Sequence, residues 1–182
     1  MRISPAILFS AALSVVAAAC SGPIMTRIEG QSAAQLPSRG QYILADVPDV
    51  DLPLLDQAQR YAVTDLAEHG WELSQDSADY QLVVTLSERP AAIGLKVKQE
   101  DNLRLIAEPK EEKPLQSCED VEHRVTVTLL SRTDGSKAYS GSAAEFHCKA
   151  ELAETMAILV NAALEDFGQS GSKRVVQREG KE

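Results

Sequence analysis

The fold is decided by a stretch that reads E-H-R-V-T-V-T-L-L (Glu122–Leu130), R-T-D-G (Arg132–Gly135) and K-A-Y-S-G-S-A-A-E-F-H (Lys137–His147). Apolar and polar residues alternate along the first run, which is the pattern of a half-buried strand. Gly135 can adopt the left-handed conformation that a tight turn requires. We therefore predict a β-hairpin, one face of which carries Val121, Val125, Val127 and Leu129.

Two cysteines flank this hairpin, Cys118 before it and Cys148 after it, offset by two or three residues from facing each other. If Cys20, the third cysteine, is modified, these two remain as a pair, and a bulge would bring them within bonding distance. Such a disulfide would contribute about 3 kcal/mol. Zinc is the alternative, because His123 and His147 are nearby, but strand alternation places His147 and Cys148 on opposite faces. We favour the disulfide and expect no metal.

Patterns on either side of the hairpin complete an α+β domain. A helix with Pro53 in its first turn ends at Gly70, and a second apolar stripe predicts a final helix that ends before Gly168. The remaining predicted strands are Tyr42–Ala45, Tyr80–Leu86 and a hairpin around 93–97 and 103–107. We expect a two-layer sandwich, a mostly antiparallel sheet with two helices packed on one face.

The N-terminus carries an export signal that ends in V-V-A-A-A-C-S (Val15–Ser21). Arg2 precedes an apolar segment that is too short for a spanning helix. This run resembles the lipobox of bacterial lipoproteins, which are cleaved just before a cysteine that is then acylated. The resemblance implies a signal peptide over 1–19, palmitate-type lipidation of Cys20 and, with Ser21 in place of Asp after it, the periplasmic face of the outer membrane. Ordinary cleavage without lipidation remains the alternative.

Composition divides the rest of the chain. Residues 20–40 are rich in Ser, Gly, Gln and Ala and predict a flexible tether; 41–168 form the α+β domain, and 169–182 a disordered tail. The chain has 18 basic and 27 acidic residues, and removal of Arg2 with the signal leaves a formal charge of −10. Such a surface repels phosphate backbones, so we expect no nucleic-acid partner.

Several features together resemble one family. The lipobox, A-D-Y-Q-L-V-V-T-L (Ala78–Leu86), V-T-L-L-S-R-T-D-G-S-K-A-Y-S-G-S-A (Val127–Ala143) and the final apolar helix are similar to the small envelope lipoproteins of the domain-of-unknown-function 4136 family, over about Gln41 to Gly168. The resemblance implies the fold and an envelope context, and it brings no catalytic residues.

No catalytic motif stands out in the sequence. It contains no G-x-S-x-G, H-E-x-x-H or glycine-rich phosphate loop, and its acid pairs, Glu111-Glu112 and Glu119-Asp120, lie in charged loop sequence. We therefore expect no enzyme activity and no cofactor. The leading hypothesis is a membrane-anchored accessory that binds an envelope protein through exposed strand edges or the 87–117 excursion. The alternative is a carrier or sensor of a small apolar ligand.

Overall fold

The structure, a computed structural model, describes residues 23–45, 52–99, 102–107, 109–110 and 118–179. Within these residues the chain is α+β, as the sequence predicts. Its elements, in chain order, are β1 Ile24–Ser32, β2 Gly40–Leu44, α1 Pro53–Glu68, β3 Trp71–Leu73, β4 Tyr80–Pro90, β5 Leu95–Gln99, β6 Asn102–Ala107, β7 Val121–Ser131, β8 Lys137–His147, α2 Leu152–Leu164 and β9 Ser172–Arg178.

Seven strands form one sheet in the order β3-β2-β4-β7-β8-β1-β9. The sheet is mostly antiparallel, and only β2 pairs in parallel, with β3 and with β4. The predicted hairpin is its centre: β7 pairs with β8 from Val121↔His147 to Leu130↔Lys137. The turn contains Gly135 at φ +73°, the left-handed conformation expected of it. Strands β5 and β6 pair only with each other, as a second, two-stranded sheet.

The core lies where the helices meet the sheet. Helix α2 packs on β1, β7 and β8, helix α1 packs on β3 and β4, and the helices contact each other. The predicted apolar face of β7 is buried, with Val125, Val127 and Leu129 fully enclosed. Gly141 on β8 brings α2 unusually close, because a Cβ atom there would overlap the carbonyl oxygen of Ala163 and the hydroxyl of Tyr139.

Helix α1 ends as its sequence predicts, because Gly70, at φ +80°, directly follows its C-cap His69. Helix α2 ends earlier than predicted, at Leu164, and Gly168, also at φ +80°, lies in the turn that follows. Helix α2 begins with a reciprocal capping box between Glu151 and Glu154. Helix α1 has Leu52 at its N-cap, without a hydrogen bond from a capping side chain. No described helix is long and apolar enough to cross a membrane.

Two predicted flexible segments are strands instead. The prediction of a flexible tether over 20–40 is wrong for Ile24–Ser32, which form β1. The prediction of a disordered tail over 169–182 is wrong for Ser172–Arg178, which form β9. β1 inserts between β8 and β9, with Ile28 opposite Ala143 and Arg174. β1 is mostly polar in composition, and its residues alternate so that Thr26, Ile28 and Gly30 face inward. The signal peptide, 1–19, and Cys20 lie outside the described residues.

Candidate functional site

The candidate site is one end of the large sheet, which we call the basal end. Strands β1 and β7 begin there, and β4, β8 and β9 end there, because Ile24 pairs with Arg178, Val121 with His147, and Pro90 with Val121. Two clusters of buried charges, the disulfide and the base of the β5–β6 hairpin meet at this end.

The first group, the Glu145 cluster, comprises Glu145, His147, Arg178 and Thr26. The Glu145 carboxylate is fully buried. It accepts hydrogen bonds from Thr26 Oγ1 at 2.5 Å and from Arg178 Nε at 2.7 Å and Nη2 at 2.5 Å. His147 Nε2 lies 2.8 Å from its second oxygen. Arg178 thus binds the carboxylate through two nitrogens, which ties the last strand, β9, to β8 across β1.

These contacts set the chemistry of Glu145. Burial alone would raise its pKa, but the hydrogen bonds from Arg178, His147 and Thr26 outweigh that effect and lower the pKa of Glu145 to about 2. A carboxylate with so low a proton affinity is a poor general base at neutral pH. Its role in this arrangement is that of a buried counter-ion.

His123 and His147 lie side by side next to this cluster. Their rings stack with centroids 4.9 Å apart, and His123 Nδ1 lies 3.0 Å from Thr155 Oγ1 on α2. Burial, and then the neighbouring His147, lower the pKa of His123, so its neutral form is favoured. Since the Thr155 hydroxyl also reaches the carbonyl of Leu152, it can accept a hydrogen bond from His123. Among the described residues no group of three or more His, Cys, Asp or Glu side chains could hold a metal ion.

The second group, the Glu122 cluster, lies on the opposite face of β7. Glu122 is almost fully buried and contacts three guanidinium groups, those of Arg27, Arg89 and Arg124. Arg89 donates to it through Nε at 3.1 Å and Nη2 at 2.7 Å. Burial would raise the pKa of Glu122, but the arginines outweigh it and lower that pKa. The cluster joins β1, β4 and β7 through their side chains.

Phe146 covers part of the Glu122 cluster. The guanidinium carbon of Arg27 lies 4.3 Å from the centre of its ring, and Lys110 Nζ lies 5.1 Å from the same centre. Both are cation–π contacts, which favour holding positive charge on this side of the basal end. Lys110 also pairs with the buried Asp120.

The disulfide joins Cys118 to Cys148 across the open end of the central hairpin, with Cα atoms 5.6 Å apart. Cys148 follows β8 directly, and Cys118 precedes β7 by two residues. The chain bends between Cys118 and Val121, and this bend takes up the predicted offset. The bond fixes the end of the loop that returns from the β5–β6 hairpin.

The β5–β6 hairpin leaves the basal end from β4. Its base is tied there, because Ala91 N donates to Asp120 O and Lys110 N donates to Ala91 O, each at 2.8 Å. Arg89 donates to the carbonyl of Ile93 in the same turn. Beyond this base, every residue from Ala92 to Lys98 is exposed to solvent. Four large apolar side chains, each 40–51% exposed, belong to this region: Ile93, Leu95, Val97 and Leu105.

Strand β9 is an edge of the large sheet. It pairs with β1 over seven residues, and no further strand of the described residues pairs with its outer side. Val175 and Val176 on this strand are 56% and 41% exposed. Lys173 pairs with Glu29, and Arg174 pairs with Glu165 and Asp166. The other edge, β3, has only three residues.

A shallow depression of about 450 Å³ lies beside β1 and β8. The residues that line it are polar or glycine, and they include Thr126, Ser140, Ser142, Lys137 and Lys173. Hydroxyls and ammonium groups offer hydrogen bonds, so the depression does not suit an apolar ligand.

The sequence-predicted site residues divide into three groups. The structure joins Cys118 and Cys148, stacks the rings of His123 and His147 beside Glu145, and does not describe Cys20. Sequence reasoning missed the Glu145 and Glu122 clusters. The available signal was a carboxylate within each strand of a hairpin otherwise rich in small and apolar residues, since a charge in a buried strand needs a partner.

Comparisons with known proteins bear on the fold. No family model and no curated protein matches the sequence. A solved PDZ domain protein from Parabacteroides distasonis is similar in structure at a TM-score of 0.59 and 9% identity; the likeness covers 86% of this chain and 39% of that one. The chain thus spans about two fifths of that protein, and a likeness at this identity concerns the fold alone.

Two crystal forms of a PelC dodecamer from Paraburkholderia phytofirmans are also similar, at TM-scores of 0.44 and 0.41 and identities of 14% and 13%. Each likeness covers 76% of this chain and 94% of the other. TM-scores this low support no conclusion about this chain.

Proposed function

We propose that the chain is a non-catalytic lipoprotein, anchored through acylated Cys20 to the periplasmic face of the bacterial outer membrane, which binds a protein or assembly partner of the envelope. Its relation to the domain-of-unknown-function 4136 lipoproteins is part of this proposal. The observation that carries the partner-binding role is the edge strand β9, a regular seven-residue strand with Val175 and Val176 exposed. A strand of this kind can pair with a strand of another chain.

The architecture we propose is a two-layer sandwich with both helices on one face of the large sheet. The contacts of α2 with β1, β7 and β8, and of α1 with β3 and β4, support it. In this arrangement the other face, with the polar depression at Thr126 and Ser142, stays open to a partner next to β9.

The buried charges support a non-catalytic role. Glu145 and Glu122 both have lowered pKa values, because arginines hold their charged forms. A carboxylate already saturated by guanidinium groups has little capacity left to accept a substrate proton. The apolar-carrier alternative has less support, since the depression beside β8 is lined by hydroxyls and charges.

Two measurements test the proposal. The intact mass of the protein from native envelopes should correspond to a chain that begins at Cys20 with its acyl chains, and reduction should add two hydrogens; an unacylated mass would overturn the anchor. A photo-crosslinking residue at Val175 should then capture a protein partner in intact envelopes. The matched control is the same residue at Ile158, an exposed position on α2. Equal labelling at the two positions, or none at Val175, would contradict partner binding through β9.

A further inference from the structure

We propose that the β5–β6 hairpin is a second membrane contact, whose exposed apolar and basic side chains rest on the bilayer that holds the acylated Cys20. This inference rests on the proposed lipid anchor and adds to it an orientation of the domain. An acyl anchor together with a second contact at the surface fixes a protein more firmly than the anchor alone, because the second contact is then intramolecular.

The first step is the position of the anchor. Cys20 precedes Ile24, the first residue of β1, by four residues. Four residues of extended chain span at most about 14 Å. Acylation at Cys20 would therefore hold the start of β1 within that distance of the headgroups. Since β1 starts at the basal end, this end of the sheet faces the membrane.

The second step is that the hairpin leaves the sheet at the same end. Strand β4 ends at Pro90 opposite Val121, and Ala91 is bonded to Asp120 and Lys110. Each hairpin strand is five or six residues long. Strands of that length extend roughly 17–20 Å, which is comparable to the reach of the chain before β1.

The third step is the chemistry of the hairpin surface. Ile93, Leu95 and Val97 are about half exposed, and Lys96 and Lys98 alternate with them. Apolar side chains enter the interfacial region of a bilayer, while lysines extend their ammonium groups to lipid phosphates. From Ala91 to Gln99 the sequence contains no acidic residue, although the chain as a whole carries a net charge of −9.

The turn sets how the hairpin can lie. Glu100 and Asp101 separate β5 from β6 in the sequence, and anionic headgroups repel carboxylates. We therefore expect the flank of β5, rather than the turn, to contact the lipid. At the basal end three guanidinium groups, those of Arg27, Arg89 and Arg124, surround the single carboxylate of Glu122, so this cluster carries an excess of positive charge.

The test uses the acylated chain in phosphatidylethanolamine–phosphatidylglycerol vesicles that contain brominated lipid, a short-range quencher of tryptophan emission. Leu95→Trp places a reporter on the hairpin. Leu73→Trp is the control, because Leu73 is similarly exposed, 43% against 46%, on β3 at the other end of the sheet. The native Trp71 is fully buried and supplies a constant background. Thermal unfolding of both variants should match that of the parent chain.

The expected result is that brominated lipid quenches and blue-shifts the emission of the Leu95→Trp chain and leaves that of the Leu73→Trp chain unchanged. An anchored chain whose hairpin emission is not quenched would overturn the inference while the lipid anchor stands. A blue shift without quenching would assign the hairpin to a protein contact and would also overturn it. Failure of every variant to float with the vesicles would overturn the anchor, and the inference with it.

A second measurement removes the anchor. A Cys20→Ser chain should still bind the same vesicles weakly, in proportion to their phosphatidylglycerol content. Lys96→Glu combined with Lys98→Glu should abolish that binding, whereas Lys137→Glu combined with Lys173→Glu, at the polar depression, should preserve it. Equal loss in both double variants would contradict a role for the hairpin, since any reduction of positive charge would then have the same effect.

Discussion

Glu145 links the stability of the fold to pH. Its pKa lies at about 2 in the folded chain against an ordinary value of 4.5, because Arg178, His147 and Thr26 outweigh the cost of burial. A carboxyl group whose pKa is lower in the folded chain than in the unfolded chain stabilises the fold at pH values above its unfolded pKa. That contribution disappears as the pH falls toward its folded pKa. The difference corresponds to up to about 3 kcal/mol.

We therefore expect Glu145→Gln to lose about 3 kcal/mol at neutral pH, because Arg178 then keeps a charge without its counter-ion. The stability of the variant should also decline less steeply than that of the parent chain between pH 5 and pH 2, because the contribution of Glu145 is then absent while that of Glu122 remains. Urea unfolding at a series of pH values measures both effects. Glu179→Gln, the same change at an exposed position, should behave as the parent chain. A Glu145→Gln chain with the parent's acid slope would contradict this assignment.

Gly141 limits how close the second helix lies to the sheet. A Cβ atom there would overlap Ala163 O and the Tyr139 hydroxyl, which itself donates to Ala163 O at 2.5 Å. Gly141→Ala should therefore lower the free energy of unfolding by about 2 kcal/mol or more, since the helix must move. Gly171→Ala meets its nearest atom at 3.6 Å, an ordinary contact, and should be tolerated. Thermal melts of the two variants make the comparison, and equal melting temperatures would show that no close approach exists at Gly141.

The disulfide cross-links the central hairpin at its open end. The number of residues in the loop that it closes sets how much it raises the free energy of unfolding. Cys118 and Cys148 are 30 residues apart in the sequence. Chain-entropy arguments give about 3–4 kcal/mol for a loop of this length. Reduction, or the Cys118→Ala and Cys148→Ala double variant, should lower the unfolding free energy by that amount in urea titrations. Because β7 and β8 remain paired through their backbones, the folded circular dichroism spectrum should not change.

The edge strand β9 protects β1 and supplies Arg178 to Glu145. Ending the chain after Gly171 should expose the edge of β1 and leave the buried Glu145 with less positive charge, so that aggregation increases and stability falls. Ending it after Arg178 keeps the whole strand and serves as the control. Light scattering during a thermal ramp distinguishes the two chains. Identical behaviour would show that β9 does not contribute to the sheet in solution.

At the scale of the whole molecule, the parts that the sequence predicts are those with local signals. The central hairpin carries its strand alternation and its Gly135 turn within a 30-residue segment, and α1 is followed by Gly70, a glycine with positive φ. Strands β1 and β9 lack such signals. The polar side chains of β1 are held by partners that lie far away in the sequence: Thr26 is 119 residues from Glu145, and Arg27 is 95 residues from Glu122.

The same reason limits the prediction of the candidate site. The sequence predicts the pairing of Cys118 with Cys148, because both flank one hairpin and Cys20 is the third cysteine. The charge clusters depend on which strands become neighbours in space, and the short alternation of Thr26, Ile28 and Gly30 in β1 does not show which strands those are. Arg178 and Arg174, which bind Glu145 and Asp166, lie in the segment for which the sequence predicts a disordered tail.

The whole sheet should therefore show a gradient of local stability that follows its strand order. Strands β4, β7 and β8 each have two neighbours in the sheet, β9 has one, and β5 and β6 pair with no other strand of the described residues. Amide hydrogen exchange reports such local opening, and its rate rises where few buried contacts oppose opening. In a Cys20→Ser chain in solution, exchange should be slowest in β7 and β8, faster in β9, and fastest in β5 and β6. Protection of the hairpin amides equal to that of β7 would contradict this order, because it would require packing of the hairpin against the body of the protein.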